Sequence, residues 1–484
     1  MSTEFFDEHA LYTWEFKNKG YAHFDTEFCK SRVYELLASL KKTKRISHKF
    51  YPLIRFTIPK YKKDENGRIY IDKKNPRYIM HTARIDANIY SFYRNLLMNK
   101  YEDTLKKLRI ADCVIAYRKI PMDCNIKKGK CNVHFANEAI EEINKKMIKF
   151  SRCSAIAMDI KGFFDNLNHD KIKSQWCRVM GFANRLPDDH YTIYKNITRF
   201  KYIDMKSLED KLNFKFSALR KANKKQICTP EIFRDKVRPY LSEKNKYGIP
   251  QGTTISDVIA NIYMLDFDTL MKKFADKYDG YYRRYSDDIL LICPTVYQTK
   301  AIQFIKWLVK RTGKTLCIND KKTLVSNFEK TENGIECTSY KNSNGKLEIV
   351  GKPFEYLGLS FNGICKRIRQ STISAFYDKL SERIKVEVKI AREKLIARGN
   401  FFPDEEALYK MVSFERIRNC YMQNRDKKEN KNFLGNFYTY VQLVANVTGN
   451  QQVRNIFDGL GQWIKERARK YCKSRLKKIH FDCC

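Results

Sequence analysis

Two short apolar runs, each meeting acid at its end, constrain the fold of this chain more than any other feature. Residues 153–160 read CSAIAMDI. The run is too short for an ordinary helix, and its apolar density suits a central strand buried on both faces, ending in the carboxylate of Asp159. Further along, GYYRRY and ILLIC flank Ser286, Asp287 and Asp288, the pattern of a β-hairpin with an acidic tip. Neither element decides anything alone, because Asp is common in turns and at solvated strand ends. As neighbours in one sheet, they would carry three carboxylates from distant parts of the chain to one edge.

Such a trio suits a specific chemistry. Joining a hydroxyl to a nucleoside triphosphate by in-line displacement builds charge on the attacking and leaving oxygens, and two divalent ions about 4 Å apart stabilise both. Magnesium prefers hard oxygen ligands and retains water, so two or three aspartates and the substrate phosphates suffice. Rigid elements are needed to hold them.

The charge balance agrees. Lys and Arg number 94 against 55 Asp and Glu, a formal charge of +39. A surface so positive repels itself unless it meets a polyanion, for which a phosphate backbone is the natural partner. With 484 residues, 43% hydrophobic, the chain can bury a sizeable core, and its length suggests about three domain-sized units. The 15 cysteines are scattered, with no C-x-x-C pair and no Cys/His set at zinc spacing. No basic region followed by an apolar core opens the sequence, and no run of about 18 apolar residues occurs. The expectation is free thiols in a reducing cytoplasm and no membrane partner.

Periodicity organises the rest. Residues 1 to about 45 look helical, with Val33, Leu36, Leu37 and Leu40 at helical spacing. FYPLIRFTIPK (50–60) reads as a strand, KKDENGR as a turn and RIYI (68–71) as the hairpin partner. Thr82 to Leu108 and Asn137 to Phe150 again look helical. The 182–246 segment is polar, basic and aromatic, with Pro187 and Pro230 as breakers. After GIPQG, Ile255, Val258, Ile259, Ile262 and Leu265 fall on one face of a helix. Residues 350–363 look like a second hairpin, and from Thr372 onward the chain reads as mostly helical and strongly basic.

Several of these segments resemble a known family. DIKGFFDNLNH (159–169), GIPQGTTISDVIAN (248–261) and YSDD (285–288) look like motifs A, B and C of the reverse transcriptase palm. NDKKTLVSNF (319–328) is similar to motif D, and FEYLGLSF (354–361) to the motif E that leads into the thumb. All five stand in the family's order. The resemblance implies an α+β right-hand polymerase. Its N-terminal extension and fingers would occupy 1–150. A palm of antiparallel sheet and helices would occupy 151–365, with 182–246 as an insert. A helical, basic thumb and C-terminal region would occupy 366–484.

The resemblance also implies roles. Asp159, Asp287 and Asp288 match the ligands of two Mg2+ ions, with the backbone carbonyl of Ile160 beside them. Phe164 matches the aromatic that collides with a ribose 2′-hydroxyl, which implies dNTPs as substrates and DNA as product. Gln251 matches a residue near the incoming base and template, and Gly252 lets the backbone approach closely. Lys322, or the adjacent Lys321, matches the lysine that protonates the pyrophosphate leaving group. Lys60 and Arg77 are similar in placement to residues that clamp the triphosphate. Tyr117 and Arg118 in AYRK, with FANEAI (135–140), are similar to the fingers of bacterial members. Two positions depart from the pattern. Motif B reads Thr253-Thr254-Ile255-Ser256-Asp257 without the usual proline, and Ser286 stands where alanine or methionine is common.

LPDDHYTIYKNITRF (186–200) looks like the insert of defence-associated bacterial reverse transcriptases, the group near the abortive-infection and retron enzymes. This implies an RNA-directed DNA polymerase of antiphage defence, with a structured non-coding RNA as template or partner; a homo-oligomer is compatible. Basic helices such as WIKERARKYCKSRLKK (463–478) would grip an A-form-like duplex through its backbone. Two other classes make different demands. A group II maturase-like RNA-binding protein would keep its function without the carboxylates. A protein-primed or untemplated polymerase would leave DNA covalently attached to a tyrosine.

Overall fold

The computed structural model describes residues 14–43, 45–59, 61–63, 69–71, 76–122, 125–332, 334–343, 346–422 and 436–482. The chain divides into two compact units. One comprises Met1–Arg118, Ile156–Leu291 and Val296–Thr323, the other Lys119–Ala155, Ile292–Thr295 and Leu324–Cys484.

The first unit is built, wholly or in part, from strands β1 (Leu53–Ile58), β2 (Arg77–His81), β3 (Arg152–Asp159), β4 (Tyr202–Asp204), β5 (Tyr281–Tyr285) and β6 (Asp288–Pro294). Its principal helices are α1 (Arg84–Lys107), α2 (His169–Met180), α3 (Asp188–Thr198), α4 (Ser256–Tyr263), α5 (Leu265–Lys277) and α6 (Gln298–Thr312). Strand β6 lies between β3 and β5 in one sheet. Its run Ile289–Cys293 is buried throughout, as are Ile156 and Met158 of β3, which is why both strands read as apolar runs rather than alternations.

A smaller sheet has the order β2-β1-β4. β1 pairs antiparallel with β2, Ile54 opposite His81 and Ile58 opposite Arg77, and parallel with β4. RIYI does supply a strand, Ile69–Ile71, but its partner is Tyr61–Lys63 and not the Leu53–Ile58 run. The buried Leu53 and Ile54 of β1 need apolar neighbours, and β2 and β4 supply Met80 and Ile203. Pro187 and Pro230 start helices rather than break them. Pro187 caps α3, and Pro230 opens the turn Pro230–Ile232, where the missing N–H costs nothing. The helix expected after GIPQG is two, because the backbone departs from helical geometry at Met264 (φ −90°, ψ 3°). Ile255, Val258, Ile259, Ile262, Met264 and Leu265 are all buried, so packing on both sides of the break overrides a propensity that runs through it.

The second unit contains β7 (Leu324–Thr331), β8 (Gly334–Ser343), β9 (Lys346–Val350), β10 (Phe354–Tyr356), β11 (Leu359–Phe361) and β12 (Lys366–Ile368). β7, β8 and β9 form an antiparallel series, and β10, β11 and β12 another. The helix Asn132–Phe150 belongs to this unit with α7 (Gln370–Ala397), α8 (Glu405–Lys410), α9 (Phe414–Met422), α10 (Phe437–Thr448) and α11 (Leu460–Asp482). On α7, Phe376, Leu380, Ile384, Val388, Ala391 and Leu395 recur every three or four residues and pack against Leu460, Ile464, Ala468 and Cys472 of α11. Every cysteine among the described residues is a free thiol, and no described helix is long and apolar enough to cross a membrane.

Candidate active site

Asp159 closes β3 with its side chain nearly buried. The backbone around it is bonded on two sides. Ile160 donates its amide to the carbonyl of Asp287 (3.2 Å), Lys161 donates to Cys317 (2.9 Å), and Asn319 donates to Asp159 (2.7 Å). The residue ending one apolar strand is thereby held against the acidic turn between β5 and β6. The Asp159 carboxylate accepts from Asn319 Nδ2 (3.1 Å) and from Lys322 Nζ (2.7 Å). The Lys322 side chain is 61% exposed, so this pair contributes little to stability, about 1 kcal/mol or less. Lys321 is exposed; of the two lysines, Lys322 is the one bonded to Asp159.

Burial pushes the Asp287 carboxyl above the usual carboxylate range, and the negative charge of Asp159 pushes it further, while Lys322 acts in the opposite sense. The charge of Asp159 thus acts on the half-buried Asp287 carboxyl at the same turn. Asp288 follows at the head of β6, half-buried. Among the described residues, no three His, Cys, Asp or Glu side chains are gathered in a metal-ligating group. The charge of Asp159 is felt at Asp287, while the Asp159 oxygens are turned towards Asn319 and Lys322.

The acidic turn is supported from behind by an ion pair absent from the sequence reading. Ser286 adopts a left-handed conformation (φ 60°), and its carbonyl accepts from Arg284 Nη1 at 2.9 Å. Arg284 is wholly buried and forks onto Asp268 of α5, Nε to Oδ1 and Nη2 to Oδ2, both 2.7 Å. Tyr282 donates its hydroxyl to the same carboxylate (2.6 Å), and Asn261 accepts from Arg284 Nη1 (3.2 Å). Tyr117, itself at φ 64°, donates to Ser286 Oγ (3.0 Å).

A second group of expected residues meets through backbone bonds. Phe164, half-buried with its ring 5.6 Å from that of Phe163, accepts at its carbonyl from Ile249 N (2.8 Å). Gln251 accepts at its carbonyl from Met80 N of β2 (2.8 Å). Gly252 has φ 106°, and a Cβ there would lie 2.6 Å from the Ile79 side chain and 2.9 Å from the Met80 carbonyl. Glycine is required by both conformation and space. Arg77 is exposed at the start of β2. Lys60 lies outside the described residues.

The fold of mixed helices and antiparallel sheets is consistent with right-hand polymerase architecture. Residues 127–361 match the family described as reverse transcriptase (RNA-dependent DNA polymerase). That span, just under half of the chain, is similar to a reverse transcriptase domain. Among solved structures, the chain is similar to an apo telomerase from Candida tropicalis truncated from the C-terminal domain, at 13% identity and a TM-score of 0.39, over 71% of this chain and 61% of that one. It is also similar to telomerase from Candida albicans in complex with a TWJ fragment of telomeric RNA, at 14% identity and a TM-score of 0.40, over 93% and 70%. The chain thus spans less than two thirds of the first of these. No curated protein matches it.

Proposed function

We propose that this chain copies RNA into DNA from dNTPs, with Asp159, Asp287, Asp288 and the Ile160 carbonyl as the ligands of two Mg2+ ions. The observation that carries the reading is the junction of β3 with the acidic turn, where the Ile160 amide bonds to Asp287 and the charge of Asp159 reaches the Asp287 carboxyl. When bound, the ions supply charge stabilisation to the attacking and leaving oxygens. The remaining work belongs to the chain. Asn319 and Lys322 orient the Asp159 carboxylate, and Lys322 Nζ is the proton donor to the departing pyrophosphate. Phe164 excludes the ribose 2′-hydroxyl, Gln251 and Gly252 border the incoming base and template, and Lys60 and Arg77 clamp the triphosphate.

The setting we propose is bacterial antiphage defence in the cytoplasm, with a structured non-coding RNA as template or partner. Its support is the resemblance of residues 186–200 to defence-associated enzymes and a charge of +39 that suits RNA. The test is dNTP incorporation on an RNA template with a DNA primer and Mg2+. Asp287→Ala with Asp288→Ala is expected to reduce incorporation to background in a folded protein, and undiminished activity would refute the assignment. Phe164→Ala is expected to admit ribonucleotides that the parent rejects.

A further inference from the structure

Helix α6 carries Lys300, Lys306, Lys310 and Arg311 and no acidic residue. Its inner face is buried through Ala301, Ile305, Leu308 and Val309. Its outer face shows Trp307, 50% exposed, with the Arg311 guanidinium 5.3 Å from the ring centre. Trp307 ends a row of rings. Phe304 lies 5.8 Å from it and stacks on Phe274 of α5 at 4.5 Å with 12° between planes. Phe274 meets Tyr278 at 4.7 Å, and Tyr278 meets Tyr297 at 4.8 Å. At this far end Lys300 and Lys277 sit 4.7 and 5.6 Å from the Tyr278 ring, and Val296 beside Tyr297 is 82% exposed.

Trp307 is exposed and Phe304, Tyr278 and Tyr297 are half-buried around the buried Phe274, and exposed aromatic surface of this kind marks an interaction site more often than idle surface. Its charge selects the partner. Cations stand at both ends of the row; of the acids near it, Asp276 and Asp320 are paired with Lys272 and Lys306, and Asp279 follows Tyr278. The hydrogen bond from Lys300, with the charge of Lys277, holds the Tyr278 phenol below its ordinary value. An apolar protein face would gain nothing from these cations. A strand that is anionic along its backbone and flat and apolar at its bases would use both features, through stacking and phosphate pairing. We propose that the Trp307–Tyr297 strip of α5 and α6 binds a single-stranded segment of RNA that is not the template–primer duplex. This rests on the reading that RNA is the enzyme's partner and names where such an RNA would be held.

The test uses the full chain saturated with unlabelled template–primer and a fluorescein-labelled single-stranded RNA of about ten nucleotides. Anisotropy is expected to show Trp307→Ala weakening the oligonucleotide by about tenfold, the loss of one stacked base. Lys300→Glu with Arg311→Glu is expected to reduce the slope of log K against log salt by about two. Incorporation of dNTPs on the template–primer is expected to stay within about twofold for both variants, since no strip residue contacts the acidic turn. Unchanged affinity and salt slope in both variants overturn the proposal, whatever incorporation does. A strip-dependent self-association seen by light scattering, with RNA affinity unchanged, overturns it in favour of a second copy of the chain. Strip-dependent RNA binding by a parent that incorporates no dNTP would leave this proposal standing and remove the polymerase reading.

Discussion

Arg284 and Asp268 allow stability and catalysis to be separated at the acidic turn. Both side chains are fully buried, and they share two charge-assisted bonds at 2.7 Å. Asp268→Asn keeps the shape but leaves a guanidinium buried beside a neutral amide. Breaking a buried pair from one side costs about 3–5 kcal/mol, a large share of the 5–15 kcal/mol that typically holds a domain folded. The expected result is a marked fall in the urea midpoint. Replacing both partners with apolar groups, Asp268→Leu with Arg284→Met, is expected to recover most of that loss, because the desolvation of a buried pair offsets much of its attraction.

The double variant still lacks the donor that Arg284 Nη1 gives to the Ser286 carbonyl. Ser286 holds φ 60° without being glycine, a conformation kept only while its surroundings enforce it. One such hydrogen bond contributes about 1 kcal/mol. Loosening the turn that presents Asp287 is therefore expected to lower kcat by about five- to tenfold with little change in KM for dNTP. Urea unfolding followed by circular dichroism, beside steady-state incorporation, reads both quantities. A double variant with parental stability and parental kcat would refute the claim that Arg284 positions the turn. Parental stability in Asp268→Asn would refute the buried-pair account itself.

Gly252→Ala would force a Cβ to within 2.6 Å of Ile79 at φ 106°, so a local cost of about 1–3 kcal/mol is expected, read as a raised KM for dNTP in steady-state kinetics. Asp287→Asn removes a carboxylate that burial and Asp159 both disfavour, so it is expected to raise the melting temperature while abolishing incorporation. Acid is expected to weaken the fold through His190, which accepts from Trp176 Nε1 at 3.1 Å and is pushed down to about 4 by burial. The unfolded chain takes up that proton near 6.5 while the folded one does not, so stability falls from about pH 6.5 towards 4 by about 1.4 kcal/mol per unit. His23, pushed down to about 3 by burial, acts in the same sense. Melting temperatures of the parent and of His190→Gln across this window check it, the variant showing the shallower fall.

What was legible in the sequence is what local pattern encodes. CSAIAMDI and ILLIC are apolar because their strands are buried, and the stripe from Phe376 to Leu395 repeats because one face of α7 is covered. The adjacency of Asp159 and Asp287 could be expected because each ends or begins an element that must lie inside a sheet. The pairing of β1 with β2 was not legible in that way. Strand order is a long-range choice, and RIYI is the nearer and equally strand-like segment. The break at Met264 was hidden for a related reason, since propensity and periodicity both run through it and only packing on its two sides reveals it. Asn319 lay inside the motif D stretch, but its bond to Asp159 depends on the path of the loop and not on any period.

Arg284 is different, because a signal for it existed. In GYYRRY the parity of a strand places Tyr282 and Arg284 on one face, and β5 does bury both. A charge on the inward parity of a strand is costly unless a partner meets it. That partner had to come from an element packed on the same face. Asp268 lies three residues from Leu265 and three from Met271, on the buried side of α5. Composition conceals such a residue, because one arginine among 94 basic residues looks like solvent-facing charge. Inward parity identifies it, and the carboxylate on the buried register of the neighbouring helix then supplies the only chemistry under which that arginine can remain charged inside the fold.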